Sequence, residues 1–333
     1  MEHLAHARPD HVGVVVIGRN EGERLAACLA TVLRGCERVV YVDSGSTDGS
    51  VDSARNMGVP VLELDPRTPF SAARARNEGF ASLRRRYPRV KRVQFVDGDC
   101  ELAQGWLQAA ARFLDERPDV ATVCGRLRER HPSASIYNAM CDIEWDVPAG
   151  EAMACGGNAM IRVEAFEHAR GFRSDFLAGE EPELARRLLD LGWRTWRISA
   201  EMGSHDAAMR HFSQWWKRCV RNGYGFAQGF ALQQASGGRL WTRQLRSAWL
   251  WAVAVPVAIL LALALVGPVA AGLLLVYPLQ VMRIGLRARR PSRVNWWNAA
   301  LLMLGKFAEL AGQIGYLRTR RARKVEGPHT HAA

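Results

Sequence analysis

The sequence contains one run of residues whose types and spacing suit a divalent cation. The mostly apolar segment 93–96 ends at Asp97, Gly98 and Asp99, which places two carboxylates one glycine apart. A buried strand that delivers two carboxylates to its carboxyl end provides oxygen ligands for a hard cation such as Mg2+ or Mn2+. The pattern alone also fits an ordinary surface loop. Beside other acidic strand ends, it predicts a site for a metal-bound diphosphate.

A second acidic loop follows an earlier apolar segment. Residues 39–42 end at Asp43, and turn-forming residues continue through Asp48. Serine, glycine and aspartate at these positions predict a connection from a strand to a helix, with a carboxylate at the strand tip. The alternative for each aspartate is a turn residue that binds its own backbone.

Apolar and polar residues alternate in a way that predicts strands separated by helices. Strands are predicted at 12–17, 39–42, 57–64 and immediately before Asp97, and helices at 20–33 and 70–87. Such alternation predicts an α/β fold with a mostly parallel sheet flanked by helices. Ligands of these sheets bind beyond the carboxyl ends of the strands, where the acidic residues fall. Neither a Gly-x-Gly-x-x-Gly after the first strand nor a P-loop motif is present, which argues against dinucleotide oxidoreductases and P-loop enzymes.

Several short motifs occur in a fixed order along the chain. They are the segments 14–21, 43–50, 75–79, 97–99, 156–158 and 179–188. Together they resemble the motifs of inverting glycosyltransferases of family 2, over roughly residues 12–230. The resemblance implies the GT-A fold, a Rossmann-like nucleotide-binding architecture. It also implies transfer of a sugar from a nucleotide-sugar donor.

The resemblance implies a set of donor-binding residues. These are Asn20, Glu21, Asp43, Asp48, Arg76, Asp97, Gly156, Gly157 and Asn158. Asp43 is expected to hydrogen-bond the nucleoside, and Arg76 to contact the donor phosphates through its guanidinium. The two glycines would allow the backbone to approach the sugar closely.

The resemblance also implies a divalent metal, Mn2+ or Mg2+. Asp99 is the expected direct ligand, with Asp97 nearer the ribose or the waters of the metal. His205 is the candidate third ligand, although a single histidine is also commonly a satisfied surface or core residue. A metal there would act as a Lewis acid on the leaving diphosphate.

An inverting transfer needs a base that takes a proton from the acceptor hydroxyl. Family members commonly have Glu-Asp at the position where this chain has Glu180 and Glu181. The assignment of the base therefore stays open by one residue, with Glu181 favoured by position. Because Pro182 suits the first turn of a helix, Glu181 is expected to cap a helix ending near residue 191, where the helix dipole keeps a carboxylate ionised.

Positive charge and apolar residues concentrate in the last third of the chain. From Arg239 onward there are fourteen Lys and Arg and two acidic residues, a net charge of +12 that equals the charge of the whole chain. The remainder is electrically balanced, which argues against nucleic-acid binding by a basic domain. Residues 247–282 contain no Asp, Glu, Lys or Arg over 36 positions. They predict a membrane hairpin with helices at about 247–266 and 269–285, both ends being cytoplasmic.

A third apolar stretch covers residues 296–316 and contains Lys306 and Glu309. It suits an interfacial helix or a packed span, and the interfacial helix is favoured because a crossing would place the basic tail outside. The alternative for all three stretches is a set of buried helices in a soluble protein.

The chain is predicted to have a GT-A catalytic domain at 1–235, a helical membrane module at 236–324 and a disordered tail at 325–333. Residues 1–11 contain no apolar signal segment, so the catalytic domain is expected on the cytoplasmic side of the cell inner membrane. The seven cysteines show no Cys-x-x-Cys and predict reduced thiols.

The sequence therefore predicts a metal-dependent inverting glycosyltransferase that acts on a hydroxyl acceptor in polysaccharide or glycoconjugate assembly. Its expected partners are a nucleotide-sugar donor, a lipid-linked or saccharide acceptor and membrane lipids, and no nucleic acid. A polyprenyl-phosphate glycosyltransferase is an alternative with the same fold. A sugar-phosphate nucleotidyltransferase, which would release pyrophosphate, is the alternative from another class.

Overall fold

A computed structural model describes residues 11–176, 178–233, 241–288 and 293–325. The predictions for the amino-terminal segment and for the tail at 326–333 lie outside these residues. The described chain divides into two compact units. The first unit lies within Met1–Pro132, Cys141–Phe176 and Glu180–Ala208, and the second within Ser133–Met140, Leu177–Gly179 and Met209–Ala333.

The first unit is built on one mixed sheet. Its strands are β1 (Val12–Gly18), β2 (Val39–Asp43), β3 (Val61–Glu63), β4 (Arg92–Asp97), β5 (Cys100–Leu102), β6 (Val120–Glu129), β7 (Gly150–Glu151), β8 (Ala159–Arg162) and β9 (Arg194–His205). Among the described residues the strand order is β3-β2-β1-β4-β8-β6-β9-β5, with β7 beside β9. The predicted α/β fold with a sheet flanked by helices is confirmed.

The four strands that begin the chain form the parallel part of the sheet. Strand β1 pairs in parallel with β2 and β4, and β2 pairs in parallel with β3. The register sets Gly18 opposite Asp43 and Ile17 opposite Asp97. Both acidic strand ends therefore flank the end of β1, as the sequence predicted. Strand β3 is shorter than the predicted 57–64, because Gly58 turns the chain at φ 74° and Pro60 has no N–H for a ladder.

Helices cover both faces of this sheet. They are α1 (Glu23–Gly35), α2 (Ser50–Asn56), α3 (Ala72–Arg86), α4 (Trp106–Glu116), α6 (Val163–His168) and α7 (Glu180–Asp190). Helix α5 (Ile136–Trp145) is divided between the two units. One core layer includes the buried Leu29 and Leu114 of α1 and α4, and the other includes Leu83 and Leu188 of α3 and α7. Strand β1 lies between these layers, which explains why nearly all of its residues are apolar.

The second half of the sheet is mixed, and it brings β9 to the site. Strand β9 pairs in parallel with β6 and antiparallel with β5, and the β5 register sets Cys100 opposite His205. Strand β9 therefore extends as far as His205 and brings this side chain to Cys100. Gly203 permits this because its backbone passes so close to the carbonyl of Glu101 that a Cβ would not fit.

The prediction that all seven cysteines are reduced thiols is wrong for two of them. A disulfide joins Cys124 in β6 to Cys155, which immediately precedes the loop at Gly156 and Gly157. These residues are 31 positions apart in sequence, so no local spacing signals the bond.

The second unit is helical and contains α8 (Phe212–Gln233), α9 (Thr242–Trp249), α10 (Val255–Val266), α11 (Val276–Leu286) and α12 (Arg293–Val325). A π-helical segment joins α9 to α10, and a 3-10 segment precedes α11. The resulting helices, Thr242–Val266 and Pro268–Leu286, are long and apolar enough to cross a membrane. Leu265 and Val269 are 84% and 86% exposed, so these are not helices of a soluble core.

Helix α12 packs along α8, and close contacts occur where either helix has a glycine. Gly223 meets the backbone of Glu309, and Gly312 meets the backbone of Val220. Helix α12 is longer than the predicted stretch at 296–316. It includes an ion pair between Lys306 and Glu309, whose charged atoms are 2.8 Å apart. Helix α8 belongs to the second unit, whereas the predicted domain boundary was residue 235.

Candidate active site

A buried arginine lies at the centre of the acidic residues in the first unit. Arg76 of α3 is 3% exposed and donates from Nη2 to Oδ1 of Asp97 at 2.8 Å. Its Nη1 donates to Oε1 of Glu180 at 2.8 Å and lies 3.7 Å from Oε1 of Glu181. We call these four residues, with Asn158, the Arg76 network. The expectation that Arg76 contacts donor phosphates differs from this arrangement, because the guanidinium is buried and both terminal nitrogens already bind carboxylates.

The loop before β8 holds the carboxylate of Asp97 from the other side. Asn158 accepts a hydrogen bond from the Asp97 backbone N–H at 2.9 Å and donates to Oδ2 of Asp97 at 3.2 Å. Gly157 leaves room for Arg76, because a Cβ at this position would overlap the guanidinium and lie 2.9 Å from Oδ2 of Asp97. Gly156 has open space around it. Asn158 and Gly157 thus both act on Asp97, and their contact with the donor stays a prediction.

Glu180 and Glu181 differ in their surroundings although they are adjacent at the start of α7. The Glu180 side chain is 7% exposed and is hydrogen-bonded to Arg76. The Glu181 side chain is 21% exposed, and its nearest oxygen lies 3.7 Å from Arg76, which is too far for a hydrogen bond. Helix α7 begins at Glu180, directly after Gly179 at φ 90°, so Glu181 lies in the first turn and not in the predicted cap position. Of the two carboxylates, Glu181 is the one open to a reacting group.

The charges of the Arg76 network shift the proton affinities of its members. Burial, followed by repulsion from Glu180, raises the pKa of Glu181 to about 7, although Arg76 opposes the change. Burial alone would lower the pKa of Arg76, but Asp97, Glu181 and Glu180 raise it above its ordinary value. Arg76 therefore remains a cation at any physiological pH, and Glu181 exchanges protons near neutrality.

A second group of side chains lies beyond the end of β4. His205 Nε2 is 3.2 Å from Oδ2 of Asp99, and Cys100 Sγ is 3.6 Å from Oδ1 of Asp99. One ligand atom from each of the three residues lies within 4.8 Å of the others. We call Asp99, Cys100 and His205 the metal-ligand group. Asp97 is not part of it.

Two further residues surround the ring of His205. Glu129, at the end of β6, has Oε2 3.9 Å from His205 Nδ1 and accepts hydrogen bonds from the N–H groups of His131 and Ala207. Trp145 of α5 packs edge-on against the imidazole, with ring centroids 4.7 Å apart. Burial would lower the pKa of His205. The interactions with Asp99 and Glu129, and the charge of Asp97, raise this pKa above its usual value.

The residues of the metal-ligand group fit a divalent cation. A carboxylate oxygen and an imidazole nitrogen are suitable ligands for Mn2+, and both side chains are partly exposed, at 21% and 18%. The buried Nδ1 of His205 has no hydrogen-bond partner among the described residues, and the Glu129 carboxylate lies on that side. A metal-binding histidine commonly has a carboxylate in this position, because it fixes the tautomer of the ring.

The acidic loop after β2 has a different organisation. Asp43 is 2% exposed, and its oxygens accept from the Tyr41 hydroxyl at 2.8 Å and from the N–H groups of Gly45 and Ser46 at 2.9 and 2.7 Å. Asn20 accepts from the N–H of Thr47 at 2.7 Å. The structure thus supports the alternative reading of Asp43 as a turn residue, and contact with the nucleoside stays a prediction.

Asp48 and Glu21 complete the part of the site near β1. Asp48 accepts from the N–H of Ser50 at 3.1 Å and from its hydroxyl at 2.6 Å, so it closes the start of α2. We call Asn20, Asp43 and Asp48 the β2 loop cluster. Glu21 pairs with Arg24 at 2.7 Å and packs beside Gly98, the residue between Asp97 and Asp99.

Sequence reasoning missed four residues of this site. Tyr41, Cys100, Glu129 and Trp145 each contact a predicted site residue. Tyr41 could have been identified, because residues i and i+2 of a strand share a face and Asp43 is two positions away. The partnership of Glu129 with His205 depends on the β6–β9 register, which no local pattern reveals.

Comparison with known protein families and structures places this geometry in context. A family model described as glycosyl transferase family 2 matches residues 13–170, and one described as glycosyl transferase family group 2 matches residues 93–305. A search of curated protein sequences finds no match.

Solved structures include similar folds at low sequence identity. The mannosyltransferase PcManGT from Pyrobaculum calidifontis, in complex with GDP-Man and Mn2+, is 18% identical over 91% of this chain and 87% of that chain, with a TM-score of 0.62. A structure of S. aureus TarS 1-349 is 12% identical over 94% of this chain and 92% of that chain, with a TM-score of 0.46. The first of these likenesses shows a shared fold.

Proposed function

We propose, from the premise that this chain belongs to glycosyltransferase family 2, that it transfers a sugar with inversion from a nucleotide sugar to an acceptor hydroxyl. The family and the GT-A fold make it a nucleotide-sugar glycosyltransferase. The inverting mechanism, the metal, the site residues and the acceptor are parts of the proposal. The observation that carries it is the contrast between Glu180, which is bound to Arg76, and Glu181, which is the more exposed of the two. Burial and repulsion from Glu180 raise the pKa of Glu181 to about 7.

Glu181 is the proposed general base. A base is most effective when its pKa is near the operating pH, since it must be largely ionised and still accept a proton. The carboxylate of Glu181 meets this condition and is partly exposed. Glu180 is already the acceptor of a hydrogen bond from a buried guanidinium, which makes it a positioning residue.

The Arg76 network would hold the base at a fixed distance from the donor side of the site. Arg76 binds Glu180 at the start of α7 and Asp97 at the end of β4, two positions 83 residues apart in sequence. Asn158 fixes Asp97 from the opposite side. Any displacement of α7 relative to β4 would break one of these bonds. The network thus supports a fixed distance between the base and the ribose side of the donor.

Asp99 and His205 would hold the divalent cation. The cation supplies charge neutralisation for the nucleoside diphosphate as it leaves. Glu21 and the β2 loop cluster line the neighbouring strand ends, where donors of this fold class bind. Asn20, Asp43 and Asp48 would shape this surface through their loop hydrogen bonds.

The proposed membrane module lies within the second unit, at residues 236–324. At about 1.5 Å per residue, the helix Thr242–Val266 spans about 37 Å, which exceeds a hydrocarbon core of about 30 Å. The helix Pro268–Leu286 has 19 residues, and its first eight form a 3-10 segment that rises about 2.0 Å per residue. The whole helix therefore spans roughly 32 Å. Arg243 and Arg246 lie near the start of the first helix, Arg283 lies near the end of the second, and Arg287 follows it. This charge pattern supports a hairpin with cytoplasmic ends in the inner membrane.

A membrane hairpin supports a lipid-linked acceptor that presents a hydroxyl. The titration of Glu181 near neutrality argues for the hydroxyl, because a polyprenyl phosphate would arrive already ionised and need no base. The division into a catalytic domain at 1–235 and a membrane module at 236–324 belongs to the same proposal.

The test is product analysis with the full chain purified in detergent. A panel of nucleotide sugars that includes GDP-mannose, the donor of the P. calidifontis enzyme, is incubated with Mn2+ and a bacterial lipid extract. Release of nucleoside diphosphate is measured beside release of pyrophosphate, and sugar transfer is followed into the organic phase. We expect one donor to yield nucleoside diphosphate and a glycosylated lipid. Pyrophosphate release would instead establish nucleotidyl transfer.

Two variants of adjacent glutamates separate the base from its neighbour. Glu181→Gln is expected to lower kcat by about 10²–10⁴-fold with little change in thermal stability. Glu180→Gln is expected to reduce thermal stability, because it weakens a buried bond to Arg76. Full activity of Glu181→Gln would contradict the assignment and favour an ionised phosphate acceptor.

A further inference from the structure

The metal-ligand group contains a thiol that transfer with Mn2+ does not require. Cys100 lies immediately after Asp99, at the first position of β5, and is 1% exposed. Oxygen and nitrogen ligands are sufficient for Mn2+ and Mg2+. A sulfur ligand beside them changes which cations the site prefers.

The register of three neighbouring strands explains why Cys100 points into this group. Cys100 is opposite His205 in the antiparallel β5–β9 pair, and Glu129 is opposite His205 in the parallel β6–β9 pair. Directly opposed residues project from the same face of a sheet. The sulfur, the imidazole and the Glu129 carboxylate therefore form one row across the sheet, in the order Cys100, His205 and Glu129. Asp99 directly precedes Cys100, at one end of this row.

The distances in this row can be compared with tetrahedral coordination. Typical zinc bond lengths give about 3.4 Å between a carboxylate oxygen and an imidazole nitrogen, and about 3.6 Å between an oxygen and a sulfur. The observed separations are 3.2 Å from Asp99 to His205 and 3.6 Å from Asp99 to Cys100, each measured to a different carboxylate oxygen. The three ligand atoms lie within 4.8 Å of one another. Small side-chain shifts would bring all three to one ion.

We propose that Asp99, Cys100 and His205 form a mixed oxygen, sulfur and nitrogen site that binds Zn2+ or Cd2+ in preference to Mn2+. This proposal rests on the proposed function, which places a divalent cation at Asp99 and His205. Binding of the ion replaces the S–H bond by a metal–sulfur bond and releases the proton to solvent. Three protein ligands leave one position for solvent or a diphosphate oxygen. Zn2+ would then displace Mn2+ from the site, and it would inhibit the sugar transfer that Mn2+ supports.

Cobalt reports sulfur ligation directly, without an activity assay. Co2+ is added to the full chain in detergent, and the near-ultraviolet thiolate-to-cobalt charge-transfer band is recorded. Competition by Zn2+, and a separate Mn2+ titration followed by electron paramagnetic resonance, give the relative affinities. Cys28→Ser is the matched control, because Cys28 is also fully buried and its sulfur is 3.7 Å from the carbonyl oxygen of Asp97, outside the group.

The expected result is a charge-transfer band in the unmodified protein and in Cys28→Ser, and its loss in Cys100→Ser. Affinity for Zn2+ should fall by on the order of 10- to 100-fold in Cys100→Ser, with a smaller change for Mn2+. Cys100→Ala is a second variant should the serine variant fold poorly, and circular dichroism checks both.

Three outcomes would overturn the proposal. One is an unmodified protein that binds Mn2+ but shows no charge-transfer band. Another is a band that persists in Cys100→Ser, which would assign the sulfur to another cysteine. In both cases the proposed function survives. Absence of binding for Mn2+ and Co2+ alike would overturn the metal site of the proposed function as well.

Discussion

The β2 loop cluster and the Arg76 network are both acidic, but their carboxylates are satisfied in opposite ways. Asp43 and Asp48 accept hydrogen bonds from residues at most three positions away. Asp97 and Glu180 share a guanidinium that is 21 and 104 positions away, respectively. The bonds to Asp43 and Asp48 come from residues close to them in sequence, whereas those to Asp97 and Glu180 exist only in the folded sheet.

This difference shows how similar acidic motifs acquire different tasks. A carboxylate bound by its own loop stabilises one turn, and its loss should be felt locally. A carboxylate bound by a remote buried charge links two elements of the fold, and loss of that charge leaves ions buried without a partner. Substitutions in the two groups should therefore differ in size and in what they change.

The largest expected effect is that of Arg76→Met. It leaves Asp97 and Glu180 without their cation, and the free energy of unfolding should fall by about 3–5 kcal/mol. Chemical denaturation followed by tryptophan fluorescence measures the loss. The control is Arg55→Met in α2, whose pair with Glu63 is exposed and contributes about 0–1 kcal/mol. Equal losses in both variants would remove the distinction between the two groups.

Asp43→Asn should have an intermediate effect. The substitution places an amide among donors, so the N–H groups of Gly45 and Ser46 lose a charged acceptor in a buried setting. The expected loss in the free energy of unfolding is about 1–3 kcal/mol, with unchanged Mn2+ affinity. Denaturation and a Mn2+ titration check the two parts. Unchanged stability with lost nucleotide binding would instead support a direct contact with the nucleoside.

The pH dependence of transfer tests the Arg76 network without a substitution. Because the pKa of Glu181 is about 7, kcat should rise through neutral pH, reach a plateau above it, and fall about tenfold per unit below it. The contribution of Glu181 to folding stability should change in the opposite direction. The folded carboxyl binds a proton more tightly than the unfolded one, so this contribution is greatest below about pH 4.5 and declines as pH rises towards 7. A flat profile of kcat between pH 6 and 8 would exclude Glu181 as the base.

The smallest expected effect is that of Asp48→Asn. Its carboxylate is exposed and accepts hydrogen bonds from the N–H and hydroxyl of Ser50. The free energy of unfolding should fall by about 0.5 kcal/mol, and kcat should stay within twofold at saturating donor. The same denaturation experiment checks this value. A loss as large as that of Asp43→Asn would show that burial does not separate the two aspartates.

Strands of the first unit and the apolar helices of the second were predictable because their signals are local. Apolar runs that end at Asp43 and Asp97 identified β2 and β4, and the absence of charge over 36 residues identified the two apolar helices. The order of the motifs then indicated the family. These features depend on neighbouring residues, so one sequence is sufficient to reveal them.

The partners of the site residues were not predictable, because they depend on distant register. Arg76 was assigned to phosphates since nothing near it in sequence shows that two carboxylates would surround it. The continuation of β9 to His205 passes through shifts in the register with β6, which break the regular alternation of a strand. The disulfide between Cys124 and Cys155 likewise depends on where β6 lies relative to the loop before β8.

The contact between Gly157 and Arg76 has a consequence for how relatives of this protein can vary. No side chain fits at position 157 while an arginine occupies position 76, since the first added carbon would meet the guanidinium. A relative with a larger residue at 157 must therefore have a shorter one at 76, and must lose or replace an acid at 97 or 180. Positions 76, 97, 157 and 180 are therefore expected to covary, and an alignment of relatives should show them changing together.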